Sequence, residues 1–271
     1  MHRLLSALGV SGLVLVLAIP SFGQAPRIRN TRFVVPEVGM VSFGLVVPQS
    51  ASGGPQSASG EPQSASGETQ SVSAGREAAP GAPESGAGGA LPLVVVLHAG
   101  GERVAYQGSR IVQELVLPAL GGLGAVIVAP DCPAASWTDP SAERAVLALV
   151  DHIRQTQSID PTRILVTGFS MGGRGAWFLS RRHPALFTDA IVMAAPAAGA
   201  EEAAGKVPTY VIHSRDDRVV PFGPVAQEVG RLASAGYPIH FEVVDGAGHV
   251  IGRFVEPLRT ASAWLAARWR R

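Results

Sequence analysis

The chain has 271 residues, of which 46% are hydrophobic and 16% are charged, and its formal net charge is +1. This length corresponds to one or two domains, and a charge so close to zero gives no reason to expect a nucleic-acid partner. The single cysteine, Cys132, excludes an intramolecular disulfide framework and a multi-cysteine metal site. Composition alone therefore favours a globular protein and assigns it no activity.

The first 23 residues have the three parts of a secretory signal peptide. Arg3 precedes a long apolar stretch, Pro20 interrupts that stretch, and small residues lead to a cleavage point after Gly23. We therefore expect an exported protein, either periplasmic or extracellular. Because the segment before the apolar stretch carries little charge, an uncleaved membrane anchor is the alternative.

Residues 49–90 are dominated by a seven-residue repeat rich in Ser, Gly, Pro and Ala. The copies are QSASGGP, QSASGEP, QSASGET and QSVSAGR, beginning at Gln49, Gln56, Gln63 and Gln70. This composition buries too little apolar surface to offset the entropy of ordering, so we interpret the segment as a disordered insert. A binding repeat or a glycosylated stalk is the functional alternative. Residues 24–48, expected to form an N-terminal hairpin, and residues 91–271 then make up one domain.

Short apolar runs alternate with helical patterns through that domain. The first two runs, 31–35 and 40–47, predict an antiparallel hairpin. The later runs suit parallel strands that are buried on both faces, and they cover 93–97, 125–129, 163–167, 190–194, 209–213 and 239–244. The helical patterns cover 109–120, 141–157, 171–182, 223–235 and 253–270. The alternation predicts an α/β fold whose mostly parallel sheet carries helices on both faces, with the ligand site at the carboxyl ends of the strands.

The strongest motif follows the run at 163–167. Residues 168–173 read GFSMGG, a G-x-S-x-G pattern that leads directly into a predicted helix. A serine on a tight strand-to-helix turn needs glycines beside it, because the neighbouring chains leave no room for side chains. A nucleotide-binding turn would instead show G-x-G-x-x-G followed by an acidic residue after the next strand, and neither is present. Ser170 is therefore the candidate nucleophile.

A serine hydroxyl is a weak nucleophile, so a base and an orienting carboxylate should follow it. Asp217 comes after the run at 209–213, and His249 comes after the run at 239–244. Both lie at predicted carboxyl ends of strands, as Ser170 does. Asp216 competes with Asp217 for the carboxylate role, and His213 is interpreted as a structural partner of this acidic loop.

The chain resembles the α/β-hydrolase superfamily over nearly all of the predicted domain. Within it, the chain is similar to compact secreted esterases of the phospholipase/carboxylesterase and polyhydroxybutyrate-depolymerase-like (feruloyl/acetyl esterase) groups. The segments that carry the resemblance are LHAGGE at 97–102, APD at 129–131, GFSMGG at 168–173, DRVVP at 217–221 and GH at 248–249. The resemblance implies an acyl-enzyme hydrolase with Ser170, Asp217 and His249 as the catalytic triad and with neither a metal nor an organic cofactor. The family pattern favours Asp217 over Asp216.

The oxyanion hole is predicted at Met171 and Gly100. The residue after the nucleophile supplies one backbone N–H, and the resemblance assigns the second to the loop after the run at 93–97. The chain departs from the family here, because Ala99 stands where glycine is usual and would be strained if that position needed a positive φ. The resemblance also gives Glu102 a bracing role in this loop, the alternative being an ordinary exposed carboxylate.

Three functions are compatible with these residues. The first is a serine hydrolase that cleaves small-molecule or polymer-linked carboxylic esters. The second is a serine peptidase of the prolyl-oligopeptidase type, and the third is a hydrolase-like binding protein without catalysis. The short connection at 195–207 predicts no cap domain, so the site should be open. Phe169, Trp137 and Met171 are expected to line it, and the alternative for the two aromatic residues is a packing role.

Overall fold

The computed structural model describes residues 27–48, 89–197 and 205–270. In these ranges eight strands form one sheet in the order β1-β2-β4-β3-β5-β6-β7-β8. The strands are β1 (Arg29–Val35), β2 (Gly39–Val46), β3 (Leu91–Leu97), β4 (Val126–Pro130), β5 (Ile159–Phe169), β6 (Asp189–Met193), β7 (Thr209–Ser214) and β8 (Ile239–Val244). The α-helices are α1 (Gln107–Ile111), α2 (Leu117–Leu120), α3 (Pro140–Thr156), α4 (Met171–Arg182), α5 (Phe222–Ser234) and α6 (Val255–Trp269).

The predicted α/β-hydrolase fold class is confirmed. Strands β3 to β8 run parallel, whereas β2 pairs antiparallel with both β1 and β4, so the N-terminal hairpin extends one edge of the sheet. In β3 the residues alternate between two buried layers. Leu93, Val95 and Leu97 face one layer, and Val94 and Val96 face the other. A strand packed on both faces reads as a continuous apolar run, which is why the sequence pattern identified it.

Helices cover both faces of the sheet. Val146 of α3, Trp177 of α4 and Val229 of α5 pack into one layer. Leu120 of α2 and Leu265 of α6 pack into the other. These helices hold the sheet rigidly, so the carboxyl ends of the parallel strands form a fixed edge on which side chains can be positioned.

The helical segment after β3 differs from the prediction. A single helix at 109–120 was expected, but the segment begins at Gln107 and passes through a π turn (Val112–Val116) before α2. Pro118 has no amide hydrogen, so the carbonyl of Glu114 lacks its normal helical donor, and the looser turn accommodates this loss. Periodicity finds such a helix but does not show the change of pitch.

Three predictions fall wholly or mainly outside the described residues. They are the signal peptide at 1–23, the insert at 49–90, of which only residues 89 and 90 are described, and part of the connection at 195–207. These assignments and the domain boundaries derived from them stay predictions. Among residues 27–48, 89–197 and 205–270, none of the helices has the length and hydrophobicity that a membrane span requires.

The C-terminal helix is attached to the sheet by a buried carboxylate. Asp189, at the start of β6, is 2% exposed and accepts hydrogen bonds from Arg268 Nε at 2.5 Å and Trp269 Nε1 at 3.0 Å. The hydroxyl of Thr188 donates a third, at 3.0 Å. This charge lies at the amino edge of the parallel strands, opposite the edge that carries the candidate nucleophile.

We predict that Asp189→Ala lowers the free energy of unfolding by roughly 2–4 kcal/mol, because Arg268 and the Trp269 indole lose a buried, charged acceptor. The matched control is Asp245→Ala, whose ion pair with Arg215 is exposed on both sides and should contribute well under about 1 kcal/mol. Urea denaturation followed by circular dichroism measures both. Equal stability of the two variants would contradict the assignment.

Candidate active site

Ser170 occupies a strained turn between β5 and α4. Its backbone has φ 56° and ψ −116°, a conformation that a non-glycine residue rarely adopts. Its amide N–H donates to the carbonyl of Met193 on the neighbouring β6 at 2.9 Å, which secures the turn to the sheet. Backbone strain of this kind concentrates at functional sites and persists where surrounding structure holds it.

The glycines of the motif allow the backbone of this turn to approach β3. A Cβ on Gly172 would lie 1.9 Å from the carbonyl oxygen of Leu97, and a Cβ on Gly168 would lie 2.4 Å from the carbonyl carbon of Gly172. No side chain fits in either place. The first turn of α4 therefore sits directly against the end of β3, where the predicted oxyanion loop begins.

The three predicted catalytic side chains lie in one hydrogen-bonded chain. His249 Nε2 lies 2.9 Å from Ser170 Oγ, and His249 Nδ1 lies 2.7 Å from Asp217 Oδ2. Since a carboxylate can only accept, Nδ1 carries the hydrogen, and Nε2 is free to accept the serine proton. Ser170 lies 79 positions before His249 in the sequence, and Asp217 lies 32 positions before it. The ends of β5, β7 and β8 bring the three residues together.

Asp217 is a buried charge whose two oxygens are both used. Its side chain is fully buried, and Oδ1 accepts the amide N–H groups of Val219 and Val220, each at 2.8 Å. With the bond to His249, the carboxylate has three donors. Such bonds compensate for the lost hydration of the charge and fix the direction in which Oδ2 points.

Asp216 is exposed and serves the neighbouring loop. Its Oδ1 accepts the hydroxyl of Ser214 at 2.6 Å and the amide of Gly246 at 3.0 Å. The hydrogen bond from Ser214 holds the pKa of Asp216 below its usual value. Asp216 therefore ties the end of β7 to the loop that precedes His249, while Asp217 is the carboxylate in contact with the imidazole.

His213 is buried beneath the acidic loop. Its Nε2 donates to the carbonyl of Val220 at 2.9 Å and lies 4.0 Å from Asp217 Oδ2. Burial lowers the pKa of His213 below 6.5, so the imidazole stays neutral in the folded protein. Its contact with Val220 is the kind of structural support that the sequence interpretation proposed.

The two residues predicted to supply the oxyanion donors, Gly100 and Met171, are neighbours in space. A Cβ on Gly100 would lie 3.6 Å from Met171 Cβ, so the loop after β3 faces the first residue of α4. In this loop the positive φ belongs to Gly101, at 138°, and not to Ala99. Alanine therefore occupies position 99 without the strain considered above. Glu102 is exposed and forms no hydrogen bond or ion pair with the described residues.

A cavity of about 130 Å³ opens beside this loop. Met171 lines it, as expected, together with residues that include Gly100, Arg103, Gln107 and Cys132.

The expectation that Trp137 and Phe169 line the site is wrong. Trp137 is 0% exposed and donates its indole N–H to the carbonyl of His98, and Phe169 is 3% exposed. The ring of Phe169 packs against those of His249 and Phe254 instead. Both aromatic rings therefore support the site from behind.

Sequence reasoning gave neither Asp131, which lies in a segment that carries the resemblance, nor Cys132 a role in shaping the loop after β3. Asp131, just beyond β4, accepts the amides of Tyr106 at 2.6 Å and Gly108 at 3.0 Å and so caps α1. The position of Asp131 directly after a buried strand could have indicated a role at this end of the sheet. Cys132 donates its amide to His98 Nε2 at 2.9 Å, and burial raises the pKa of its thiol, which disfavours a nucleophilic thiolate.

Over the described part of the chain, no group of three or more His, Cys, Asp or Glu side chains is arranged to hold a metal ion.

Part of the chain is similar to a known protein family. Residues 135–267 match the model of the Dienelactone hydrolase family, which is slightly less than half of the chain. No relative was found among the curated proteins.

Three solved structures illustrate the fold. A thermostable esterase has a TM-score of 0.62 at 23% identity over 88% of this chain, which spans only 62% of that esterase. A lidless α/β serine hydrolase from Xanthomonas campestris has a TM-score of 0.58 at 17% identity, covering 93% and 98% of the two chains. The acylaminoacyl peptidase of Pyrococcus horikoshii has a TM-score of 0.58 at 14% identity, covering 89% and 41%.

The chain has the α/β-hydrolase fold, and the family match supports the prediction of a hydrolase. The fold alone does not separate esterases from peptidases, since both occur among the similar structures.

We predict that Gly172→Ala disrupts the nucleophile turn, because the new Cβ meets the Leu97 carbonyl at 1.9 Å. Stability should fall by about 1–3 kcal/mol, as in other overpacked sites. Gly230→Ala in α5 is the matched control, since a Cβ there meets nothing within 4 Å and should be neutral or stabilising by up to about 1 kcal/mol. Thermal unfolding of both variants decides the point, and an unaffected Gly172→Ala would refute the close approach.

We also predict that stability falls as the pH drops through about 6.5. Burial lowers the pKa of His98 and of His213, so the unfolded chain takes up protons that the folded chain does not, and acid favours unfolding. His213→Gln removes one of these two histidines, so the free energy of unfolding should decrease less between about pH 7.5 and about pH 5 than in the wild type. His240→Gln, at an exposed position, is the control and should keep the wild-type slope. Urea denaturation at each pH measures it.

Proposed function

We propose that the chain hydrolyses carboxylic esters through an acyl-enzyme on Ser170. The observation that carries this proposal is the pair of hydrogen bonds made by His249, 2.9 Å to Ser170 Oγ and 2.7 Å to Asp217 Oδ2. A base in contact with a nucleophile, itself oriented by a buried carboxylate, is the arrangement that activates a serine hydroxyl. The match to a hydrolase family over residues 135–267 supports the same class of reaction.

In the acylation half, Ser170 Oγ attacks the ester carbonyl while its proton passes to His249 Nε2. The imidazolium that forms is stabilised by Asp217, which keeps the Nδ1 hydrogen bond throughout. As the tetrahedral intermediate collapses, the bond from carbonyl carbon to alkoxy oxygen breaks. His249 Nε2 returns the proton to the departing alcohol, which leaves the acyl group on Ser170.

In the deacylation half, a water molecule takes the place of the alcohol. His249 Nε2 removes one of its protons as the water oxygen attacks the acyl carbon. Collapse of the second intermediate expels Ser170 Oγ, which recovers its proton from the imidazolium, and the carboxylic acid departs. The proposed cycle uses only this chain, the ester and water.

The amides of Met171 and Gly100 are proposed to bind the oxyanion in both halves. Met171 is the first residue of α4, so its N–H has no acceptor inside the helix, and the helix dipole favours negative charge at this end. Loss of one such donor typically costs about 2.7–4 kcal/mol of transition-state stabilisation.

We propose a small-molecule ester as the substrate class. Cavities of about 130 Å³ and about 340 Å³ share the loop that contains Gly100 and give room for the acyl and alcohol groups of a small ester. A peptidase of the prolyl-oligopeptidase type would use the same triad, so p-nitrophenyl esters of rising chain length should be assayed beside matched anilides. Faster hydrolysis of the anilides would favour the peptidase. The triad argues against a binding protein without catalysis, and an inactive wild type would restore that alternative.

We predict that Ser170→Ala abolishes ester hydrolysis, with kcat reduced by about 10⁴-fold or more. The variant keeps the shape of the turn, so folding should be unaffected. Initial rates with p-nitrophenyl acetate measure the loss. Hydrolysis by Ser170→Ala at the wild-type rate would rule out the serine mechanism.

We predict different effects for the two neighbouring carboxylates. Asp217→Asn should reduce kcat by about 10⁴-fold, because the amide no longer fixes the tautomer of His249. Asp216→Asn keeps an oxygen that can accept the bonds from Ser214 and Gly246, so kcat should change by less than about threefold. The assay is the same, and the opposite ranking would move the acid role to Asp216.

A further inference from the structure

The loop after β3 contains a carbonyl that is held by two side chains. The carbonyl oxygen of Ala99 accepts a hydrogen bond from His98 Nδ1 at 2.7 Å and another from the side-chain Nε2 of Gln107 at 3.3 Å. Both donors use uncharged groups. Of the two, only His98 belongs to the motif from which the sequence predicted this loop, and Gln107 comes from α1.

His98 can donate because its other ring nitrogen is already occupied. The amide of Cys132 donates to His98 Nε2 at 2.9 Å, so Nε2 is unprotonated and the ring hydrogen lies on Nδ1. Burial lowers the pKa of His98, which keeps the ring in this neutral form. The backbone of His98 is fixed as well, because its carbonyl accepts the Trp137 indole at 2.9 Å.

Gln107 is positioned by the cap of α1. Asp131 accepts the amides of Tyr106 and Gly108, the two residues that flank Gln107. Gly108 in turn packs against β4, since a Cβ on it would lie 2.2 Å from the carbonyl oxygen of Ala129. The start of α1 therefore has little freedom to move, and the Gln107 amide is held beside Ala99.

The held carbonyl fixes the direction of the next N–H. Ala99 C=O and Gly100 N–H share one peptide plane, which is trans, so they point in opposite directions. Among the described residues the Gly100 amide has no hydrogen-bond acceptor. Gly100 also adjoins Met171, the residue that carries the other proposed donor. Because the Ala99 carbonyl is held by His98 and Gln107, the unpaired Gly100 N–H at the opposite end of the same peptide is held in a fixed direction.

We propose that Gln107 and His98 are positioning residues for the oxyanion, because together they hold the Ala99–Gly100 peptide with its N–H directed at the reacting carbonyl. The inference rests on the proposed function and adds to it the residues that preorganise one of its two donors. Preorganisation matters because a donor that must rotate during the reaction loses much of its stabilising effect. Gln107 makes no hydrogen bond with Ser170 or His249, so its effect should be confined to the oxyanion.

The test compares p-nitrophenyl acetate with its thionoester analogue, in which sulfur replaces the carbonyl oxygen. Sulfur is larger and a weaker acceptor, so an oriented oxyanion hole favours the oxygen ester. Gln107→Met removes the donor at nearly constant length and charge. We expect kcat for the oxygen ester to fall by about tenfold to a hundredfold with KM nearly unchanged, and the thionoester to be affected by less than about threefold, because it gains little from the donor in wild type.

The preference for oxygen over sulfur, as the ratio of kcat/KM values, is the deciding quantity. It should drop at least about fivefold in Gln107→Met and in Gln107→Ala, which serves if the first variant folds poorly. Gln113→Met, an exposed glutamine close by, is the control and should keep the wild-type ratio. An unchanged ratio in the Gln107 variants, whether the rates stay constant or fall together, would overturn the inference. Failure of the proposed function looks different, because Ser170→Ala would then retain hydrolysis.

Discussion

The site depends on how closely the turn after β5 approaches the end of β3. Gly172 and the Leu97 carbonyl are so near that a Cβ would lie 1.9 Å from that oxygen. This contact sets the position of Ser170 and also the distance from Met171 to the loop that holds Gly100. A side chain at Gly168 or Gly172 would push this turn away from the end of β3 and so move Ser170 away from Gly100. The motif is therefore a requirement of backbone packing before it is a requirement of chemistry.

The buried carboxylate illustrates how the chain stabilises charge at this edge. Asp217 is shielded from water and compensated by two amides and one imidazole, so its orientation is fixed by several bonds at once. Asp216 also contacts the loop that precedes His249, through the amide of Gly246, but its carboxylate is exposed and accepts the hydroxyl of Ser214. Adjacent residues on one turn point to opposite sides, and only one of them can be directed inward. The inward direction of Asp217 places its carboxylate next to His249.

Much of this could be predicted from the sequence, for identifiable reasons. Parallel strands buried on both faces appear as continuous apolar runs, so the fold class followed from the pattern. The order of Ser170, Asp217 and His249 at strand ends brought them together in principle, because such ends share one edge of the sheet. The role of Gln107 could not be predicted, since it depends on the Asp131 cap and on the close packing of Gly108 against β4. Trp137 was misassigned because an aromatic near a strand end can as easily lie beneath a site as line it.

The two edges of the sheet have separate tasks. Strand β2 runs antiparallel to β4, with Val46 beside Ile127, so β2 ends at the amino edge of the parallel strands. Strand β3 begins at the same edge, where Leu91 pairs with Ile159. The chain between β2 and β3, which includes the repeat, is thus attached at the edge opposite Ser170. Asp189 and its partners from the C-terminal helix stabilise that same edge. The amino edge thus carries contacts that stabilise the fold, while the carboxyl edge, with its strained serine and held peptide, carries the proposed chemistry.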